Sequence, residues 1–279
     1  MTRAGPVRIV GIDAAWTVKQ PTGVALVELD GTAARLVSVA RSYGEVIENE
    51  TRWRKRPRRH EETPEAALEV LAPYDVVAVD MPLQVAPIVS RRASDTAVSK
   101  AYGARWASVH SPIPERPGPI AAELFALLRR HGLAFVAADK SAGGVADGAA
   151  GAGGVFLETY PHAAIIELMG LEKRLPYKVG NRRKFWRDEP SSRTWILVAE
   201  QMDRLRAALD AVIEGVTDQV PSAVELLETG ARPRGTVLKG LEDALDAVVC
   251  AWAGVQWWRG AALAHGDEVS AIWVPAGVD

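Results

Sequence analysis

Val7-Arg8-Ile9-Val10-Gly11-Ile12-Asp13 is an apolar run that closes on a carboxylate, and other segments repeat the pattern. Val76-Val77-Ala78-Val79 runs into Asp80, and Val155-Phe156-Leu157 runs into Glu158. Asp243 and Asp246 stand three residues apart in Asp243-Ala-Leu-Asp-Ala-Val-Val-Cys-Ala-Trp252, which reads as a helix with both acids on one face. Short apolar runs without alternation read as strands buried on both faces. A carboxylate at the mouth of such a strand is costly unless its charge is compensated. Two like charges roughly 4 Å apart repel by about 4 kcal/mol at an effective dielectric near 20. A set of converging acids therefore asks for a bound cation.

Outward from these runs, the first eighty residues read as a meander and a crossover. Val24 to Leu29 is a second strand, Asp30-Gly31-Thr32 a hairpin turn, and Arg35 to Ala40 a third strand. Thr63-Pro64 supplies an N-cap and a first-turn proline for a helix to about Leu71. Helical turns are expected between Ala86 and Tyr102, and a proline-rich loop from Ser111 to Pro119. Next come a helix from Ile120 to His131, a strand near Ala134 to Ala137, and a Gly/Ala connection over residues 141–154. Val155 to Thr159 reads as a strand and Ala163 to Met169 as a helix. A long helix runs from Ser191-Ser192 to about Gly215, with Ile196, Ala199, Met202, Leu205 and Leu209 as its apolar stripe. A short helix over 222–228, a last helix from Leu241 to about Ala264 and a strand from Val269 to Val274 complete the chain. Strands paired both ways, with helices between them, predict an α/β sheet covered on both faces. Asp13, Asp80 and Glu158 then fall at carboxyl strand ends, where open α/β sheets bind ligands.

Composition limits the function classes. The 279 residues are 48% hydrophobic and 24% charged, with a net charge of -2, so any polyanion-binding surface is local. One cysteine, Cys250, rules out an internal disulfide and a zinc site built on several thiolates, and its Val/Ala surroundings read as core. No apolar run reaches membrane-spanning length and the amino terminus has no signal-like segment, so a cytoplasmic protein without a membrane partner is expected.

Gly11-Ile12-Asp13, Ala78-Val79-Asp80-Met81-Pro82-Leu83, Glu158-Thr159-Tyr160-Pro161 and Asp243-Ala244-Leu245-Asp246-Ala247, in that order, resemble the predicted nucleases of domain of unknown function 429. Arg92-Ala-Ser-Asp95 and Tyr177-Lys178 are similar to further elements of that family. The resemblance implies a ribonuclease H-like fold: a mixed five-stranded sheet led by three antiparallel strands, with helices on both faces. It implies a single domain over residues 1–279, with inserted segments at about 84–132 and 171–235. It also implies an active site of Asp13, Asp80 and Asp243/Asp246, while a fifth-strand acid such as Glu158 is not general in that superfamily.

Such a site suits a magnesium- or manganese-dependent nuclease or phosphodiesterase working by a two-metal carboxylate mechanism. Asp13, Asp80, Asp243 and Asp246 are the expected metal ligands. Glu158 is expected to join Asp13, Asp80 and Asp246 in catalysis, through water or as a base. Arg92, Asp95, Lys178, Arg182, Arg183 and Lys184 are candidate substrate contacts. Lys173 to Arg187 carries seven Lys/Arg with aromatics among them, and Arg52 to Arg59 is similarly basic, a composition suited to nucleic acid. Each acid alone could be a helix-terminus or turn residue, the basic runs could be solvated loops, and His110 and His162 more often serve structure. Alternatives to the nuclease are a non-catalytic nucleic-acid-binding protein and a metal-dependent hydrolase of a small phosphorylated substrate.

Overall fold

The computed structural model describes residues 5–17, 20–57, 64–138, 154–230 and 234–277. Its strands are β1 (Val7–Asp13), β2 (Gly23–Asp30), β3 (Ala33–Ala40), β4 (Val76–Val79), β5 (Ala134–Phe135), β6 (Val155–Thr159), β7 (Ala262–Gly266) and β8 (Ala271–Pro275). Its helices are α1 (Tyr43–Glu48), α2 (Pro64–Leu71), α3 (Ala93–Tyr102), α4 (Gly118–Arg130), α5 (Pro161–Met169), α6 (Arg182–Phe185), α7 (Ser191–Asp210), α8 (Val216–Gln219), α9 (Ala223–Glu228) and α10 (Arg234–Trp258).

The strands form one mixed sheet in the order β3-β2-β1-β4-β6-β8-β7, with β5 beside β6. The leading three pair antiparallel, because the turn after Asp30 returns the chain directly. β1, β4, β6 and β8 run parallel, and β7 closes the edge as an antiparallel hairpin with β8. The sheet thus has eight strands where five were expected. The additions are the short β5 and the β7–β8 hairpin. α10 stops at Trp258, not near Ala264, because the chain turns at Gly260 and pairs β7 with β8.

Side-chain parity divides the core. Ile9, Ala78, Val155 and Leu157 face the layer built by α7, α9 and α10. Val10, Ile12, Val77, Val79 and Phe156 face the layer built by α2 and α4. α7 ends at Asp210, short of the expected Gly215, and its buried stripe uses Val198 while Ile196 is exposed. α3 and α4 fall in the segment expected at 84–132, and α6 to α9 in that expected at 171–235. Thr63 and the Gly/Ala connection, except Gly154, lie outside the described residues. Among the described residues, no helix is long and apolar enough to cross a membrane.

α10 lies directly against β1, β2 and β4. A Cβ on Gly11 would stand 2.1 Å from the Ala247 carbonyl oxygen, and one on Gly23 would stand 2.0 Å from that of Asp243. Both obstacles are backbone, so no rotamer change relieves them. Gly11→Ala is therefore expected to cost at least about 1–3 kcal/mol, the range for overpacked cores. Gly180→Ala, where nothing lies within 4 Å of the added carbon, should stay within roughly 0.5 kcal/mol of the parent. Urea unfolding midpoints of the two variants check this contrast.

Candidate functional site

The register of β1 and β4 sets Ile12 against Val79, which makes Asp13 and Asp80 neighbours at the carboxyl edge. The Asp80 N–H donates to the Ile12 carbonyl at 2.8 Å, extending the ladder by one bond. Asp13 follows Gly11 in parity, so it points to the face on which α10 packs. The close approach at Gly11 and Gly23 then delivers Asp243 and Asp246 to the same place. Carboxylate oxygens of Asp13, Asp243 and Asp246 lie within 4.8 Å of one another. Asp80 lines the same cleft as Asp13 and Asp243.

Three further residues complete this cluster, and the sequence reading missed two of them. Glu242 is buried beside Asp243, and Lys239 lies one turn earlier on α10. Lys239 donates to Glu242 Oε1 at 2.8 Å and to Asp243. Lys178, expected to touch substrate, reaches in from the segment before α6 to Asp246 and, at 3.4 Å, to Glu242. Tyr177 donates to Asp246 Oδ1 at 2.5 Å, and the Val179 N–H donates to Glu242 Oε2 at 2.7 Å. The signal available in the sequence was a glutamate within an apolar helix and a lysine four residues before Asp243.

Burial and the balance of acids against the two lysines set how these groups titrate. Burial pushes Asp13 from its ordinary 3.8 up to about 7, opposed by Lys178 and reinforced by Asp243. Asp243 and Asp246 are each driven to about 6, again chiefly by burial. Burial and the adjacent Asp13 raise Asp80 well above the carboxylate range. Burial also presses Glu242 upward, but Lys178, Lys239 and the Val179 N–H overcome it and hold this acid below its ordinary value. Burial would neutralise Lys178, yet Asp246, Glu242 and Asp13 keep it firmly protonated.

Glu158 has different company. Its register partner on β4 is Val79, so it follows Phe156 and Val79 onto the opposite face from Asp13. There Arg92 donates to both its oxygens at 2.6 and 2.7 Å, and the Leu83 N–H donates to Oε2 at 2.7 Å. Three donors occupy most of a carboxylate's acceptor sites, so Glu158, expected in catalysis, is held against Arg92 and the segment that carries Leu83, away from the Asp13 cluster. Arg92 and Asp95, expected to contact substrate, are buried and paired with each other at 2.6 Å.

The remaining substrate candidates stand apart from the aspartates. The Arg182 guanidinium stacks 3.7 Å from the Trp195 ring centre, Arg183 donates to Ser191 at 3.2 Å, and Lys184 is exposed. In the other basic stretch, fully buried Arg41 donates to the carbonyls of Arg52, Trp53 and Lys55 and so shapes the loop. That loop brings Arg56 to the cleft; residues 58 and 59 lie outside the described set.

The cleft itself holds about 670 Å³. Asp13, Asp80 and Asp243 form its acidic part, Trp16 and Pro57 an apolar wall, and Arg56, Arg116 and Lys239 its cationic rim. The donor set is all hard oxygen, which suits magnesium or manganese. Ligands on one magnesium ion are at most about 4.2 Å apart, so a small side-chain rotation would close the observed spread.

A family model described as "protein of unknown function (DUF429)" matches residues 11–271. No curated protein and no solved structure matches this chain.

Two outcomes follow from this electrostatic layout. Arg92→Met leaves Glu158 and Asp95 buried without their cation, and should lower unfolding stability by about 3–5 kcal/mol. Asp13, Asp243 and Asp246 titrate higher folded than unfolded, so the native state holds more protons across the interval. Their contribution to stability is present below about pH 4 and is lost as pH rises towards 7. In chelator-treated protein, Asp13→Asn should flatten that fall; a thermal-melt series from pH 4 to 8 that is unchanged by the substitution contradicts this picture.

Proposed function

This chain belongs to the DUF429 family, and we propose that it is a metal-dependent nuclease or phosphodiesterase. The observation that carries this reading is the convergence of Asp13, Asp243 and Asp246 on one side of a cleft whose rim bears Arg56 and Arg116. Acids that share a small volume suit a divalent cation, and arginines above them suit the phosphate oxygens of a substrate. The order β3-β2-β1-β4-β6, antiparallel and then parallel, supports a ribonuclease H-like core to which the β7–β8 hairpin is added.

Asp13, Asp243 and Asp246 would hold Mg2+ or Mn2+, with Asp80 alongside. The bound ion supplies Lewis-acid charge and a more acidic water for attack on phosphorus. The side chains then divide the remaining work. Tyr177 fixes the orientation of Asp246, and Lys178 and Lys239 hold Glu242 and the α10 aspartates in place while the cluster lacks its cation. Arg56 and Arg116, exposed at the rim, bind the phosphodiester and orient it over the acids. Glu158 acts at one remove, by anchoring Arg92 and the segment that follows Asp80.

A second reading is supported by size. A cleft of about 670 Å³ falls within the range of small-molecule sites, so a small phosphorylated substrate is the alternative to nucleic acid. A cytoplasmic setting, expected from the sequence, belongs to the same proposal.

Hydrolysis of single- and double-stranded DNA, RNA and a small phosphodiester, each with magnesium, manganese or chelator, separates these readings. Asp13→Asn should cut metal-dependent turnover by about a thousand-fold, the equivalent of losing several kcal/mol of charge stabilisation. Arg56→Ala should raise KM and change kcat little. Turnover that survives chelation, or that Asp13→Asn leaves intact, removes the metal-centre assignment.

A further inference from the structure

A smaller space of about 190 Å³ shares Trp16 and Asp80 with the cleft and is otherwise walled by different residues. Two of its nitrogen-bearing side chains have uncommitted atoms. His162 is 8% exposed, and its Nδ1 is buried without a hydrogen-bond partner among the described residues. Arg174 lines the same space with a buried, unpartnered Nε, and among the described residues its guanidinium makes no ion pair. Exposed His110 stands at the same wall. Buried donors left unsatisfied are rare and call for a missing acceptor.

The surroundings fix these groups in place. Tyr160 and Tyr177 meet the His162 ring edge-on at 5.4 and 5.8 Å, and the Arg174 N–H donates to the Arg105 carbonyl at 2.8 Å. Of the other charged members of the wall, Asp80 is shared with the cleft, and the remaining two already have partners. Lys178 is taken by Asp246 and Glu242, and Glu158 by Arg92 and the Leu83 N–H. Burial, helped by Arg174 and Lys178, holds His162 well below its ordinary range, so its imidazole is neutral and donates one hydrogen bond. The positive charge comes from Arg174, whose planar fork matches the oxygens of a phosphate.

We propose that this space is a subsite for a phosphate monoester, which receives the phosphorylated end of a substrate whose scissile bond lies over Asp13 and Asp80. The proposal rests on the phosphodiesterase reading for the position of the scissile bond, while the anion site itself stands on Arg174 and His162. Two sources present the same group: the phosphorylated end of a polynucleotide and a small phosphate ester.

Calorimetry on the full chain in chelator, with inorganic phosphate as the probe, tests the site without catalysis. The wild type should bind phosphate, and Arg174→Gln and His162→Ala should each weaken binding about tenfold or more. His110→Ala, at an exposed position, should weaken it by a smaller factor in a protein whose folding is not in question. Phosphate should compete with a 5′- or 3′-phosphorylated dinucleotide and not with the hydroxyl-ended one if the source is a polynucleotide end. Competition by a small phosphate ester alone assigns the small source, and either result supports the subsite. Equal phosphate affinity in the wild type and all three variants overturns it, as does a wild type that binds no phosphate. Arg174-dependent phosphate binding without hydrolysis of any substrate leaves the subsite standing and overturns the phosphodiesterase reading instead.

Discussion

The absence of two side chains governs this molecule. At Gly11 and Gly23 the sheet surface is bare backbone, and α10 lies so close that its own carbonyls occupy the volume a methyl group would need. That contact lets Asp243 and Asp246 descend to the level of Asp13 at the strand end. With larger residues in the sheet, the helix would ride higher and its aspartates would miss the strand acid. The packing that stabilises the core and the geometry that builds the acidic cluster are thus one constraint, not two.

Close packing of acids creates an electrostatic cost, and the fold meets part of it internally. Lys178 and Lys239 lie within the cluster, where they neutralise Glu242 and partly offset Asp243 and Asp246. Five carboxyl groups, counting Asp13 and Asp80, face these two ammonium groups, and burial, reinforced by the neighbouring acids, raises Asp13 to about 7 and Asp243 and Asp246 to about 6. A divalent ion entering such a place would displace protons and compete with the lysines for oxygen atoms, so its affinity should rise with pH. At Glu158 the compensation is an arginine instead of lysines: Arg92 is shared with Asp95 and only partly offsets the burial that pushes Glu158 up to about 7.

Much of this was legible from local pattern. The apolar runs over 7–12, 24–29, 76–79 and 155–158 all proved to be strands, because a buried strand has to be apolar wherever it contacts a layer. The last helix carried its acids on one face, as their spacing of three requires. Less legible were elements stabilised from outside themselves. β7 reads as a continuation of α10 because Ala262, Leu263 and Ala264 are good helix formers; pairing with β8 overrides that propensity. Ile196 fits a helical stripe on paper, but the direction from which the core approaches α7 selects Val198.

Two positions show most clearly where local reading ends. Asp13 and Glu158 both terminate apolar strands, and a one-dimensional pattern treats them alike. Register separates them, because side chains alternate between faces and β6 meets β4 with Glu158 opposite Val79. The sequence by itself determined that the chain would form a mixed α/β sheet with carboxylates at its strand ends, since hydrophobic period and acid placement are local properties. Which of those carboxylates meet, which lysines come between them, and that Arg92 claims Glu158 were decided only in three dimensions. Pairing register and helix approach depend on contacts between residues far apart in the chain, as between Lys178 and Asp246 or Gly11 and Ala247, and no local pattern encodes their alignment.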